Sequence, residues 1–221
     1  NLNDGTEFVK TAEGALNEIF GILLRLRSIA SQSANGTIDD VERISTDLEY
    51  QASLRELDRI VATTEFNGTF LLDGTLAASQ PAADHNVLQL GVDSSSDNQF
   101  DLNNMLNLTN VGTASLGLSG SNITSQGDAF QALNALTTSI DDLIQVRGRV
   151  GTTQIRIMHA FDNLKVQEEN LTAAVSTIRD ADLAEELTSL TKNQLLVQSG
   201  VAMVGQANLN PQAALTLLEG V

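Results

Sequence analysis

His85 and His159 are the only histidines in the chain, and cysteine is absent. Metal or nucleophile chemistry would have to come from these two rings, or from hydroxyls and carboxylates. A helical zinc site of the HExxH kind needs two imidazoles one turn apart with a glutamate beside the first. No HExxH occurs. His85 lies in a polar loop with no Asp or Glu spacing that resembles a ligand set. His159 falls in a helical stretch, away from both apolar heptad positions, and reads as a surface histidine. No glycine-rich phosphate loop and no GxSxG nucleophile elbow is present. Asp39, Asp40 and Glu42 stand at a helix start, where negative charge complements the helix dipole. Asp180 and Asp182 read as caps of a later helix. The sequence offers no catalytic residue, no metal site and no cofactor-binding residue, and reads as a non-enzyme.

Composition narrows the class further. Carboxylates outnumber cations by 28 to 12, for a formal net charge of −16. A nucleic-acid surface needs clustered Lys and Arg, so that class is excluded, as is docking on anionic lipid. Apolar residues make up 42% but aromatics only 4%, with no Trp and one Tyr. Cores of Leu, Ile, Val and Ala without rings point to helix packed on helix. The 221 residues allow one or two domains with a sizeable core. Without cysteine there is no disulfide and no thiolate site. The opening residues NLNDGTEFVKTAEGALNEI lack the basic and apolar regions of a signal peptide, and read as the continuation of a longer chain. No window is apolar enough for a membrane span. The C-terminal segment comes nearest, but Gln, Asn, Ser and Pro interrupt it.

The elements follow from periodicity. Leu16, Ile19, Leu23, Leu26 and Ala30 recur at heptad-like spacing, with Ile22 and Ile29 flanking, and predict a helix over about 7–34. Asn35-Gly36 is the expected left-handed stop. Thr37 is expected to open the next helix, with Asp40 in a capping-box-like position, and that helix runs to about Thr63. Its stripe begins with Val41, Ile44 and Leu48 and continues out of phase with Leu54, Leu57 and Val61. Residues 66–124 are rich in Gly, Asn, Asp, Ser and Thr. Asn67-Gly68 and Asp73-Gly74 bracket a short apolar run as turns. NVLQLGVDSSSDNQFDLN predicts a β-hairpin with its tip at 93–98, and SLGLSGSNI a further extended piece.

The next helix is expected from Asp128, capped by Ser125. Every seventh residue from Leu136 is apolar: Leu136, Leu143, Val150, Ile157, Leu164, Leu171 and Ile178. The companion register holds Leu133, Ile140, Phe161 and Val175, interrupted by Arg147, Gln154 and Glu168 as register or shared-interface residues. A helix of about 50 residues spans on the order of 75 Å. A seam of that length implies a rod in which the helix packs along two shorter ones. A last stripe follows in Leu183, Leu187, Leu190, Val197, Val201 and Val204, broken by Gln194. A bend is expected at Asn210-Pro211, then a short helix from Ala213 to Leu218. From Asn193 onward the only charged side chain is Glu219. An apolar tail that cannot bury itself in its own chain should bury itself in a partner. The fold class is mainly α: a long coiled-coil-like rod of three helices, a small β-hairpin region, and a C-terminal amphipathic tail helix.

NDGTEFVKTAEGALNEI, SQSANGT, LDRIVATTEFNGTFLLDG, NLTAAVSTIRDADLAEELTSLTKNQLLVQSG and VGQANLNPQAALTLL together resemble bacterial flagellin, in that family's order and across almost the whole chain. The resemblance implies a secreted, self-assembling filament subunit that supports swimming. It divides the chain into N-terminal rod helices of the shell domain (1–65), its hairpin and loop region (66–124), its C-terminal rod helix (125–179) and an inner-tube segment (180–221). Flagellins carry roughly fifty residues before the NDG block, so a chain starting here is expected to stay monomeric. The hairpin runs almost directly into the rod helix, as in a minimal flagellin without large outer domains. The zinc-protease insertion of some flagellins is absent.

The resemblance also implies partners. The export chaperone and the inner tube would contact Leu183, Leu187, Leu190, Val197, Val201, Val204, Leu215 and Leu218. The flagellar cap and hook-associated proteins are implied as well. By position, Arg25, Ile29 and Glu49 match residues that contact the vertebrate flagellin-sensing Toll-like receptor, although Ser28-Ile29 replaces the usual Glu-Leu pair. The alternatives are a hook–filament junction protein of the same plan and a flagellin-like cell-surface binding protein. A surface without aromatic platforms argues against sugar binding by the second.

Overall fold

The computed structural model describes residues 2–90, 95–179 and 183–218. The chain falls into two units, Asn1–Lys165 and Val166–Val221. Helix α1 spans Leu2–Ser33, starting earlier than expected because the buried Leu2 and Gly5 continue the inner face of Val9, Ala12 and Leu16 by a further turn. Leu16, Ile19, Leu23, Leu26 and Ala30 are buried as their spacing requires. The expected left-handed stop is not used. Asn67 and Asn107 are the non-glycine residues with positive φ among those described, and Gly36 is not among the positive-φ glycines. Instead the buried Arg43 guanidinium donates to the carbonyls of Asn35 (3.0 Å) and Ile38 (2.9 Å). The last turn of α1 is closed by backbone amides, Ala34 to the Ala30 carbonyl (2.8 Å) and Asn35 to the Gln32 carbonyl (3.1 Å), and Arg43 holds the connection that follows.

Helix α2 spans Asp40–Thr63. Its N-cap is Asp39 rather than Thr37: the Asp39 carboxylate accepts from the Glu42 amide at 2.8 Å. Leu54, Leu57 and Val61 face the core, but Val41, Ile44 and Leu48 are exposed, against expectation. Arg43 and Tyr50 occupy the buried positions instead. The buried set Arg43, Tyr50, Leu54, Leu57 and Val61 keeps a single phase of 7, 4, 3 and 4, and the other stripe falls outside it.

Strands β1 (Glu65–Phe66) and β2 (Thr69–Phe70) pair antiparallel through Asn67-Gly68, with φ of 50° and 81°. A two-residue turn of this kind needs left-handed residues at both positions. Strands β3 (Val87–Gln89) and β4 (Gln99–Asp101) form the second hairpin, in register Val87↔Asp101, Leu88↔Phe100 and Gln89↔Gln99. Part of the expected tip lies outside the described residues. A short helix α3, Leu102–Leu106, follows without having been expected. The expected extended piece around Leu116 is irregular instead. Its backbone is held by α2 rather than by a strand. Asp58 accepts from the Thr113 amide (2.8 Å), Asp47 from the Ile123 amide (2.9 Å), and Gln51 donates to the Ser121 carbonyl (2.8 Å).

Helix α4 runs Gln126–Arg179. Ser125 caps it as expected: its hydroxyl accepts from the Asp128 amide (3.1 Å) and donates to the Asp128 carboxylate (2.6 Å). Along the seven-residue seam, Leu136, Leu143, Val150 and Ile157 are buried and Leu164 is partly so. Leu171 and Ile178 are exposed, which corrects the expectation of one continuous core seam. They lie in the second unit, where no described side chain is buried. The first unit has a single hydrophobic core shared by α1, α2, α4 and the intervening loops. Bonds from distant parts of the chain close it: Ser33 Oγ to the Ile123 carbonyl (2.7 Å) and Gln126 to the Ala34 carbonyl (3.0 Å).

Helix α5 spans Leu183–Leu218 without the expected break at Asn210-Pro211. A proline removes one i→i−4 bond, and the backbone stays helical through it. The expected caps Asp180 and Asp182 lie outside the described residues.

Candidate assembly and recognition surfaces

Helix α5 presents a broad apolar surface. Leu183, Leu187, Leu190, Val197, Val201 and Val204 are each more than half exposed. The stripe was legible in the sequence, but it is incomplete. Leu195, Leu196 and Met203 are equally exposed and project from other sides of the same helix. A helix apolar on most sides is one that a partner must surround. Burying a Leu, Val or Met side chain is worth about 1.5–3 kcal/mol, so covering these nine is worth on the order of 10 kcal/mol. The side chains of Leu215 and Leu218 lie outside the described set.

Arg25 and Glu49 are brought together across α1 and α2. Arg25 Nη2 and Nε donate to the same Glu49 oxygen, at 2.7 and 3.2 Å. Both side chains are at least half exposed, so the pair adds less than about 1 kcal/mol to stability. It fixes the geometry of two charges on an open surface. Ile29 is not part of that surface: it is 7% exposed and packs in the core.

The hairpin region holds a pair that sequence reading missed. His85 Nδ1 lies 2.7 Å from an Asp101 oxygen, and Nε2 lies 3.0 Å from the Gln80 carbonyl. Both partners are acceptors, so both ring nitrogens donate when the imidazole is protonated. The hydrogen bond that His85 donates to Asp101 is the main cause that raises the His85 pKa above 6.5; burial opposes it, and Asp84 adds to it. Burial pushes the Asp101 carboxyl up, but the Asn104 amide and the His85 ring hold it below its ordinary value. Sixteen residues separate the two partners, so no local motif announces them. Beside this pair, the fully buried Asn103 donates to the Thr75 carbonyl (2.9 Å) and accepts from the Asn86 amide (2.9 Å). Helix α4 caps the far end of α3, where Arg149 donates to the carbonyls of Leu106 (3.2 Å) and Asn107 (3.1 Å). His159 is exposed on α4. Among the described residues, no group of three or more His, Asp or Glu could hold a metal ion. Nor is any helix of the described residues long and apolar enough to cross a membrane.

Comparison with known proteins accounts for this arrangement. The profile of the bacterial flagellin N-terminal helical region matches residues 1–77, and that of the C-terminal helical region matches residues 133–218. Flagellin of Halalkalibacterium halodurans is 37% identical over 99% of this chain and 76% of its own length. The flagellar filament 30.7 kDa core protein of Treponema maltophilum is 34% identical over 99% of this chain and 77% of its own length. The crystal structure of Bacillus cereus flagellin superposes with a TM-score of 0.61 at 29% identity, covering 79% of this chain and 93% of that one. The chain belongs to the bacterial flagellin family.

Proposed function

We infer that the uncovered apolar surface of α5 is what this chain contributes to the interior of a filament. The chain is a structural subunit of the bacterial flagellar filament, an extracellular assembly, and not an enzyme. Its partner in the filament is itself. The observation that carries the α5 reading is its side-chain exposure: Leu183 through Val204 offer nine large apolar side chains and bury none. Before assembly that surface needs a cover. An export chaperone on the same residues supplies one, and residues 180–221 then pass from chaperone to inner tube. The cap and hook-associated proteins meet the chain at the filament's ends. Neither the hook–filament junction reading nor the surface-binding reading is favoured.

Hydrogen–deuterium exchange of the free chain, with and without the chaperone, tests this. Amides from about residue 182 onward should exchange fast in the free chain and slowly with the chaperone. Strong protection there in the free monomer would sink the inner-tube reading.

Recognition by the flagellin-sensing Toll-like receptor is a second proposal, supported by the exposure and mutual fixing of Arg25 and Glu49. Arg25 is its anchor. Receptor affinity unchanged by Arg25→Ala would refute that.

A further inference from the structure

Asn35-Gly36, in the connection from α1 to α2, does not adopt the left-handed conformation that its residue types allow. Both residues are exposed. An asparagine followed by glycine can cyclise: the glycine nitrogen attacks the asparagine side-chain carbonyl, and no side chain on the glycine hinders the approach. Among the described residues no acceptor holds the Gly36 amide. Three hydrogen bonds act on the other atoms of that reaction. The Thr37 amide donates to Asn35 Oδ1 (3.3 Å), which folds the side chain back over the Asn35–Gly36 peptide. On the main-chain carbonyl of Asn35, Arg43 Nη2 donates at 3.0 Å and the Ile38 amide at 3.4 Å. Attack requires the Gly36 nitrogen to lose its proton, which puts negative charge on the Asn35 main-chain oxygen through amide resonance. Charge then moves onto Oδ1. Each developing charge faces a donor, the Arg43 guanidinium for the first and the Thr37 amide for the second. Such bonds strengthen as the charge develops.

Arg43 also has room for the product. Its side chain is only 4% exposed, yet Nε and Nη1 have no hydrogen-bond partner. Asp40 stands 3.6 Å from Nε, but its own side chain is 88% exposed. A buried guanidinium with two idle donors is a place for a further carboxylate.

We propose that Asn35 is a site of spontaneous deamidation, and that the isoaspartate it forms sets a new carboxylate against Arg43. The Gly36 nitrogen gives its proton to solvent and bonds to Asn35 Cγ. The Cγ–Nδ2 bond breaks, and the side-chain nitrogen leaves as ammonia after taking a proton from water. A five-membered succinimide remains. Water adds its hydroxyl to the former main-chain carbonyl carbon of residue 35. The bond from that carbon to the Gly36 nitrogen breaks, and the nitrogen takes the proton. The chain now runs through Cγ and is one carbon longer. The carbon that carried the Arg43-bonded oxygen has become a free carboxylate, and the chain has gained one negative charge.

The chain carries its own control. The same tripeptide recurs as Asn67-Gly68-Thr69, so the local sequence is matched. There the β1–β2 turn holds both Asn67 and Gly68 left-handed, and among the described residues no cation donates to the Asn67 carbonyl. The free full chain is kept in warm neutral buffer, with a parallel sample in concentrated urea. Peptide mass spectrometry follows amide loss at residues 35 and 67, and fragmentation separates isoaspartate from aspartate. In the folded chain Asn35 should lead Asn67 on the order of tenfold, the effect of one hydrogen bond from a charged donor. In urea the two rates should converge. Arg43→Met should slow Asn35 by about the same factor and leave Asn67 unchanged. Asn67 moving to its urea rate would mark a variant that has not folded, and the comparison of native chain with urea then decides alone. Equal rates in the folded chain, or a lead of Asn67, would overturn the proposal, as would a folded Arg43→Met with Asn35 unchanged. A lead of Asn35 that persisted in urea would assign it to the flanking sequence and overturn the part of Arg43. Aspartate without isoaspartate at residue 35 would overturn the fit of the product to Arg43.

Discussion

Leu143→Ala should destabilise the free chain far more than Leu171→Ala, although both leucines hold the same heptad position of α4. Leu143 is fully buried, whereas Leu171 is 65% exposed. Truncating a buried leucine loses its transfer free energy and leaves a cavity, at a cost of about 3–5 kcal/mol. Ile140, Val146 and Val150 around it on the same helix are themselves buried, so collapse into the space is limited. Leu171 keeps most of its surface in water, and its truncation costs less than about 1 kcal/mol. With a urea slope of about 2 kcal/mol/M, the midpoint falls by roughly 2 M for Leu143→Ala and by under roughly 0.5 M for Leu171→Ala. Tyr50 supplies the probe. It is the only tyrosine in a chain without tryptophan, and it is fully buried. Its fluorescence therefore reports the first unit alone. Equal midpoint shifts for the two variants would refute the reasoning, because they would require Leu171 to be buried in the free chain.

Two further outcomes concern the hairpin. The His85 pKa is raised, so the stabilisation from its pair with Asp101 is full below about 6.5 and is lost as pH climbs through the folded-state value. Protection factors of the β3 and β4 amides, taken relative to intrinsic exchange at each pH, should fall over that rise, and Asp101→Asn should flatten the dependence; protection factors that grew with pH would reverse the sign and discard the pairing. Asn103→Leu leaves the Thr75 carbonyl and the Asn86 amide without their partner, and should cost on the order of 3 kcal/mol in thermal unfolding. An unchanged melting temperature would show that those groups find other partners.

How much of this was legible depends on how locally each feature is encoded. The Leu136–Leu143–Val150–Ile157 seam and the Ser125 cap need only a period or a short offset, and both stand in the structure. The Asn67-Gly68 turn is local in the same way, since two left-handed residues define it. The start of α2 was not legible. Val41, Ile44 and Leu48 are spaced like a core stripe, but Arg43 takes the inner face because the α1–α2 connection presents two carbonyls to it. Only the folded path of that connection reveals those acceptors. The α5 stripe was visible as a stripe, but Leu195, Leu196 and Met203 lie off its phase, so the apolar surface proved broader than periodicity suggests. The candidate receptor contacts came by position alone. The structure keeps Arg25 and Glu49 at the surface and takes Ile29 inside.

The bonds that close the first unit also set a timetable. Ser33 to Ile123 spans 90 residues, Gln126 to Ala34 spans 92, and Asp47 to Ile123 spans 76. Such contacts form only after a long stretch of chain has given up its freedom, which makes them late and slow. A chain that emerges N-terminus first presents α1 and α2 well before residues 116–157, which complete their shared core. Until then Leu16, Leu23 and Leu57 lack their cover, and the early half cannot commit to its final form. Commitment waits for α4, and α5 arrives later still. For a subunit whose destination lies outside the cell, that order leaves the shared core of the first unit open until the residues of α4 have been added.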